Sequence, residues 1–276
     1  MQDAFLLFNQ AISLFGSLIA GLWDLKTTEI PDEIPVLIAS LGIFSWFIYM
    51  LSFGDVYPLM LSLLIGTLFL LFGFILYKLG QWGGGDAALL GAIGYSLPFL
   101  EINQPFLGIS QAINFVFNLF VFGAIWVIIY VIFITILNRR VLLEFKKKVE
   151  KDFFVKMLIF FMIFSFFLSF LSPIFFIFGC YAFLFLFVLY AKVLEKTVFI
   201  KRIPTSKLKV GDVLLKSKVW VGITQEELEK IRKEKKYVLI KEGVRFGIAF
   251  FIALVFTLFF ENFSVIDLYL MILGLR

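Results

Sequence analysis

Two aspartates in this sequence have neighbours and spacing that could let them act together on water. Asp24 ends the first long apolar run, and Asp86 directly follows three glycines, Gly83–Gly85, after the third such run. An ionisable residue at the membrane end of an apolar helix is costly to keep there, so it is a functional-site candidate. Two nearby carboxylates that share one proton can serve as general acid and general base.

The chemistry of such a pair needs neither a metal nor histidine. The ionised carboxylate takes a proton from water, while the neutral one hydrogen-bonds the scissile carbonyl, which suits amide hydrolysis. The chain contains no histidine and a single cysteine. This composition excludes intrachain disulfides and the metal sites and triads that need His or several Cys. We therefore expect no metal and no cofactor.

Each feature also has a purely structural explanation when it is taken alone. Headgroup solvation of a helix end accounts for Asp24, and a turn accounts for Gly83–Gly85. Glycines without Cβ atoms also let a backbone bend and approach an extended substrate closely. The interpretation as one site depends on whether the topology brings both acids to the same face and depth.

The composition is that of a polytopic helical membrane protein. The chain is 62% hydrophobic, contains 39 Phe and has a mean hydropathy of +1.02, whereas soluble domains are about 45–50% apolar. The apolar runs are continuous, which predicts membrane helices. The expected fold is an all-α membrane protein with about eight transmembrane helices (six to eight) and a small cytosolic α+β element.

Charge bias decides between the possible topologies. The fourth run is shorter than the ~20 residues that a spanning helix needs. If all eight runs cross, one face receives every lysine and arginine except Arg276, and the positive-inside rule makes that face cytosolic. Both aspartates then lie at the cytosolic membrane edge, with the N- and C-termini outside. The eight runs cover about 4–23, 34–53, 56–79, 87–100, 106–137, 153–171, 174–191 and 244–260.

The predicted organisation has four parts along the chain. They are a membrane core with both aspartates (1–137), a charged cytosolic loop with a transmembrane hairpin (138–191), a small cytosolic α+β element (192–243), and the last span with its tail (244–276).

The small α+β element is the only sizeable polar region. Residues 210–215, 218–221 and 237–240 are typical of short strands, and Thr224–Glu227 is typical of a capping box that opens a helix through about Lys236. We expect this element to dock on the membrane core. Its basic charge favours a surface facing the lipid bilayer, and we expect no nucleic-acid partner.

The residues around both aspartates contain two short motifs. Residues 83–86, Gly-Gly-Gly-Asp, match the Gly-x-Gly-Asp signature of membrane aspartyl proteases. Around Asp24, the acid is followed by Lys26 and then by Ile30-Pro31-Asp32. On these two motifs the chain resembles the type IV prepilin peptidases and archaeal preflagellin peptidases, whose first aspartate lies in a segment of this kind. The resemblance covers about residues 1–100 and extends weakly to 208–250.

The resemblance implies an endopeptidase that removes the short basic leader of prepilins or preflagellins. Cleavage is implied at the cytosolic membrane face, ahead of the substrate's hydrophobic helix. Asp24 and Asp86 are implied as the catalytic pair. Gly83, Gly84 and Gly85 are implied as backbone positions that bind substrate.

Three further acids lie within ten residues of Asp24, at Glu29, Asp32 and Glu33. They could attract a Lys- and Arg-rich leader. Solvation of an ordinary loop explains these acids equally well.

The sequence departs from the wider family in its cysteines. Many bacterial prepilin peptidases carry paired Cys-x-x-Cys motifs and also N-methylate the product. Only Cys180 is present here, so we expect no N-methyltransferase activity and a closer relation to the archaeal enzymes. The runs 153–171 and 174–191 go beyond the usual six spans.

Three alternatives stay open, one of them another kind of protease. An intramembrane protease of the presenilin or signal-peptide-peptidase type would have Tyr-Asp in place of Trp23-Asp24 and a Pro-Ala-Leu element, which is absent from this sequence. A proton-linked transporter would also use paired acids and a glycine-broken helix, but near the membrane midplane. A non-catalytic membrane scaffold is a third reading.

Overall fold

A computed structural model describes residues 2–100, 105–217 and 222–260. This part of the chain is almost entirely helical, with one small sheet. The α-helices are α1 Gln2–Thr27, α2 Glu33–Phe53, α3 Tyr57–Lys78, α4 Gly84–Ser96, α5 Pro105–Leu137, α6 Arg140–Lys151, α7 Phe153–Leu168, α8 Pro173–Leu194, α9 Gln225–Glu234 and α10 Ile248–Phe259, and the strands are β1 Ile200–Pro204 and β2 Tyr237–Lys241.

The helices confirm a multi-pass α-helical membrane protein. Among the described residues, five segments are long and apolar enough to cross a membrane: Gln2–Thr27, Glu33–Phe53, Tyr57–Lys78, Gly108–Leu137 and Pro173–Phe199. Two shorter apolar helices, α7 and α10, correspond to the sixth and eighth predicted runs. The number of eight spans stays a prediction.

The chain divides into two compact units. The first contains Met1–Val127, Lys216–Gly222 and Gly243–Arg276, and the second contains Ile128–Leu215 and Ile223–Glu242. The first unit therefore holds α1 to α4, the first part of α5, and α10. The second holds the rest of α5, α6 to α9 and both strands. The predicted four-part organisation and the docking of the small element stay predictions.

Helix α4 is the most enclosed helix of the first unit. It has only 13 residues, and most of its side chains after Asp86 are buried. Glycines on the neighbouring helices allow this close packing. A Cβ atom at Gly42 of α2 would lie 2.4 Å from Cα of Ser96, and one at Gly66 of α3 would lie 2.1 Å from the ring of Tyr95. Protein rather than lipid therefore surrounds α4.

A short helix inside an apolar bundle must have its last carbonyl groups satisfied by other parts of the protein. Trp46 Nε1 donates to the Ser96 carbonyl at 2.8 Å. The Ser62 hydroxyl donates to the Tyr95 carbonyl. These two side chains come from α2 and α3, so the C-terminal end of α4 is fixed by the helices on either side.

The predicted fourth run, 87–100, was wrong at both ends. The helix begins at Gly84, because extended Gly83 provides its start. It ends at Ser96, because Leu97 adopts a left-handed conformation with φ of 46° immediately before Pro98. A proline disfavours helical geometry at the residue before it.

The second unit contains the expected hairpin, α7 and α8. The rings of Phe166 and Phe176 are 5.8 Å apart in an edge-to-face arrangement. A Cβ atom at Gly179 of α8 would lie 2.8 Å from the Phe166 ring, so the two helices pack closely.

Residues 138–152, expected as a charged loop, mostly form the amphipathic helix α6. Val141 is fully buried, and the ring of Phe145 lies 5.0 Å from that of Tyr190. Ion pairs between residues three and four positions apart line the exposed face, including Lys147 with Glu144 at 2.7 Å. The charged residues therefore have helical spacing and stabilise α6, and the prediction of a loop was wrong.

Two of the predicted elements near the small sheet are confirmed. Thr224 caps α9, with the Glu227 carboxylate accepting from the Thr224 amide at 2.9 Å. The strand predicted over 237–240 is β2. It pairs antiparallel with β1, which the sequence analysis missed because Lys201 and Arg202 interrupt the alternation of a half-buried strand.

The strand predicted over 210–215 was wrong. Val210 and Gly211 form a turn, with φ of 96° at Gly211, and only Leu214 makes a single bridge, to Ile240. The Asp212 carboxylate accepts from the amide of Lys209 at 2.7 Å, which is turn chemistry. The strand predicted over 218–221 lies outside the described residues.

Candidate active site

Asp24 lies in the last turns of α1 and faces into the first unit. Its side chain is 5% exposed. Asp24 Oδ2 accepts a hydrogen bond of 2.8 Å from the Gly247 amide, just before α10. Helices α1 and α10 approach closely here, since a Cβ atom at Gly21 would lie 2.7 Å from Cα of Ile248. The last apolar helix thus supplies a backbone donor to an acid on the first.

Asp86 is the third residue of α4. Its Oδ2 atom accepts a hydrogen bond of 3.1 Å from the Gly83 amide. The carboxylate therefore folds back over the positive end of its own helix, a favourable place for an acid. Asp86 is half-buried.

The segments that carry the two acids are in direct contact. A Cβ atom at Gly85 would lie 2.8 Å from Cβ of Ile30 and 3.0 Å from the Ile30 carbonyl oxygen. Ile30 is itself buried. The absence of a side chain at Gly85 therefore lets the Ile-Pro-Asp segment that follows Asp24 pack against the start of α4.

The carboxyl groups of Asp24 and Asp86 are close enough to interact electrostatically. A cation also acts on this pair, because Arg245 interacts electrostatically with Asp24. Two interacting acids can divide the roles of general acid and general base on a water molecule.

Aromatic side chains pack behind the glycine motif. Trp82, the residue before Gly83, is buried. Its ring lies 5.8 Å from that of Phe246 and 5.6 Å from that of Phe250. This cluster joins the start of the motif to the segment that contacts Asp24.

The other residues singled out in the sequence are more exposed. Gly84 is exposed, and a Cβ atom there would come no closer than 3.9 Å to Tyr77. Glu29, Asp32 and Glu33 are exposed between α1 and α2. Within the ranges that the structure covers, no group of His, Cys, Asp or Glu is arranged to hold a metal ion.

Sequence reasoning missed Arg245 and Gly247 as parts of this site. They are 221 and 223 positions after Asp24 in the chain, and only the contact between α1 and α10 brings them near it. In the sequence, Arg245 and Gly247 lie at the start of the last apolar run, within the segment of weak resemblance. Their position in the sequence does not show that they contact Asp24.

Comparison with protein families gave a match to the first part of the chain. The model of the type IV leader peptidase family matches residues 11–136. This match supports the predicted relation to the prepilin peptidases.

The leader peptidase match contains both aspartates and the three glycines of the motif. It supports a protease that acts on prepilin-type substrates in a membrane. Arg245 and Gly247 lie outside the matched residues. No curated protein and no solved structure gave a match to the chain.

Proposed function

We propose that this chain is an aspartyl leader peptidase of the prepilin and preflagellin type. In this proposal Asp24 and Asp86 activate one water molecule at the cytosolic membrane face. The water hydrolyses the peptide bond between a short basic leader and the hydrophobic helix of the substrate.

One observation carries the proposal. The two acids interact with each other, and each accepts a hydrogen bond from a backbone amide, Gly247 for Asp24 and Gly83 for Asp86. Backbone donors fix the orientation of both side chains without supplying a competing charge. A fixed pair of carboxyl groups is the arrangement that general acid and base catalysis on water requires.

The proposed reaction needs only the pair and water. The ionised carboxyl group takes one proton from water, and the water oxygen bonds to the carbonyl carbon of the scissile peptide. The neutral carboxyl group hydrogen-bonds the carbonyl oxygen as negative charge develops there. When the C–N bond breaks, a proton passes to the leaving nitrogen, giving a new carboxyl group on the leader and a new amine on the product.

The experiment is a cleavage assay in a lipid bilayer. Purified protein in liposomes is mixed with a prepilin and a preflagellin, each with its leader, and products are identified by mass spectrometry. The proposal predicts one cut ahead of the hydrophobic helix, with the same rate in the presence of EDTA. Loss of activity to the chelator, or no cleavage of either substrate, would overturn the proposal.

Leader recognition by the acidic loop is a separate prediction. The triple variant Glu29→Gln, Asp32→Asn and Glu33→Gln removes exposed charge near Asp24. Because rim charges chiefly govern attraction of a charged partner, we expect KM for a basic leader to rise several-fold at low salt, with kcat unchanged. An unchanged KM would mean that these acids only solvate the loop.

A further inference from the structure

The short segment Arg245–Gly247, just before α10, reaches the catalytic pair from outside the family-matched region. Its backbone is held in place, because Trp126 Nε1 donates to the Arg245 carbonyl at 2.7 Å. Its middle residue, Phe246, packs on Trp82 and Phe250 with ring distances of 5.8 and 5.9 Å. The segment is therefore a fixed part of the first unit.

This segment contacts Asp24 and also packs on Trp82, the residue that precedes the glycine motif. On one side, the Gly247 amide donates to Asp24 Oδ2 at 2.8 Å. On the other, the Phe246 ring packs at a tilt on Trp82, which directly precedes Gly83, and the Gly83 amide donates to Asp86. One short stretch of chain thus supports the segments of both acids.

Arg245 brings a positive charge to Asp24, because it lies two residues before Gly247, whose amide donates to the Asp24 carboxylate. Its charge acts on Asp24. Its buried Nε atom has no hydrogen-bond partner within the described residues, and the ion pairs found there involve other residues. The guanidinium is therefore not neutralised by a competing carboxylate in that part of the chain. A cation near one of two acids favours the ionised form of that acid.

We propose that Arg245 and Gly247 are positioning residues of the active site, which hold Asp24 as the ionised, water-activating member of the pair and leave the shared proton on Asp86. This inference rests on the proposed function. It assigns different roles to the two acids: Asp24 is the base, and Asp86 is the acid that faces the scissile carbonyl.

Kinetics of Arg245 variants test the inference in the full-length protein in liposomes. Arg245→Gln removes the charge and should lower kcat about tenfold or more with KM within twofold, because ionisation of the base is used in the chemical step. Arg245→Lys keeps the charge and should recover most of that loss. Arg202→Gln is the matched control, because Arg202 lies on β1 over the Tyr237 ring, and it should keep the parent kcat.

A second variant keeps the inference testable if Arg245→Gln does not fold. A Cβ atom at Gly247 would lie 3.1 Å from Asp24 Cβ and 3.2 Å from Asp24 Oδ2, so Gly247→Ala should displace the carboxylate and lower kcat with KM little changed. Gly108→Ala is its control, since a Cβ atom there meets nothing closer than 3.4 Å.

The outcomes separate this inference from the proposed function. If the parent protein cleaves no leader, the proposed function fails. If the parent cleaves and either Arg245→Gln or Gly247→Ala retains full kcat, the positioning role is overturned. The role is also overturned if Arg245→Lys, at the parent's thermal stability, is as impaired as Arg245→Gln, because a purely structural arginine would give that result.

Discussion

At the scale of single residues, the absence of a side chain at Gly85 allows the segments of the two acids to meet. Gly85 allows Ile30 to pack against the start of α4, and this contact joins the segments of Asp24 and Asp86. The sequence predicted both acids and the glycine motif from residue type and spacing. It could not predict Ile30 as the contact of Gly85, because a motif gives no information on which residue fills the space left by a missing Cβ.

Substitution of Gly85 tests this contact. In Gly85→Ala, the new Cβ would lie 2.8 Å from Ile30 Cβ, and relieving such overpacking typically costs ~1–3 kcal/mol. We expect a lower melting temperature in detergent and a large loss of kcat, because the segment after Asp24 must move. Gly84→Ala is the control, because its new Cβ would lie 3.9 Å from the nearest atom, in Tyr77, and it should melt at the parent temperature. A Gly85→Ala protein that melts at the parent temperature would contradict the contact with Ile30.

At the scale of elements, α4 is too short to span the membrane by itself, and the helices around it enclose it. This packing holds Asp86 in place at the start of α4. Thirteen residues of α-helix extend about 20 Å, against a hydrocarbon core of about 30 Å. Apolar patterning located this element but not its ends. The start depends on Gly83, and the end depends on hydrogen bonds from Trp46 and Ser62, which lie 50 and 33 positions away from their partners.

Removal of the Trp46 donor tests how the end of α4 is stabilised. Trp46 is fully buried, and Trp46→Phe leaves the Ser96 carbonyl without its indole partner. A buried unsatisfied carbonyl costs ~1–3 kcal/mol, so we expect a clear fall in the melting temperature. Trp23→Phe makes the same change at a half-exposed position and serves as the control. A Trp46→Phe protein as stable as the parent would show that this hydrogen bond is not needed.

At the scale of the whole molecule, the charge distribution carries the prediction of topology. Composition alone was enough to predict a multi-pass helical protein, which the long apolar helices in the described part of the chain confirm. The count of eight spans depends on whether α4 and the segments around it cross the membrane. The length of α4 cannot decide this, but a crossing by the fourth segment keeps the basic segments on one face of the membrane.

Cysteine labelling tests the topology directly. Cys180 is the only cysteine, so Cys180→Ser gives a background for single cysteines. With eight spans, a membrane-impermeant maleimide applied to intact cells should label Asp55→Cys but not Lys26→Cys or Lys147→Cys. Labelling of Lys147→Cys from outside would place α6 on the other face from Lys26 and contradict the crossing of the fourth segment.

The most direct test of the account is the cleavage activity of the two aspartate variants. Asp24→Asn and Asp86→Asn keep the size of each side chain and remove its ability to share a proton, whereas Asp3→Asn changes an exposed acid at the other end of α1. With melting temperatures unchanged, we predict that the parent and Asp3→Asn remove the leader and that each of the other two variants has lost at least ~10²-fold in rate. Leader removal at the parent rate by either Asp24→Asn or Asp86→Asn would contradict a two-aspartate mechanism.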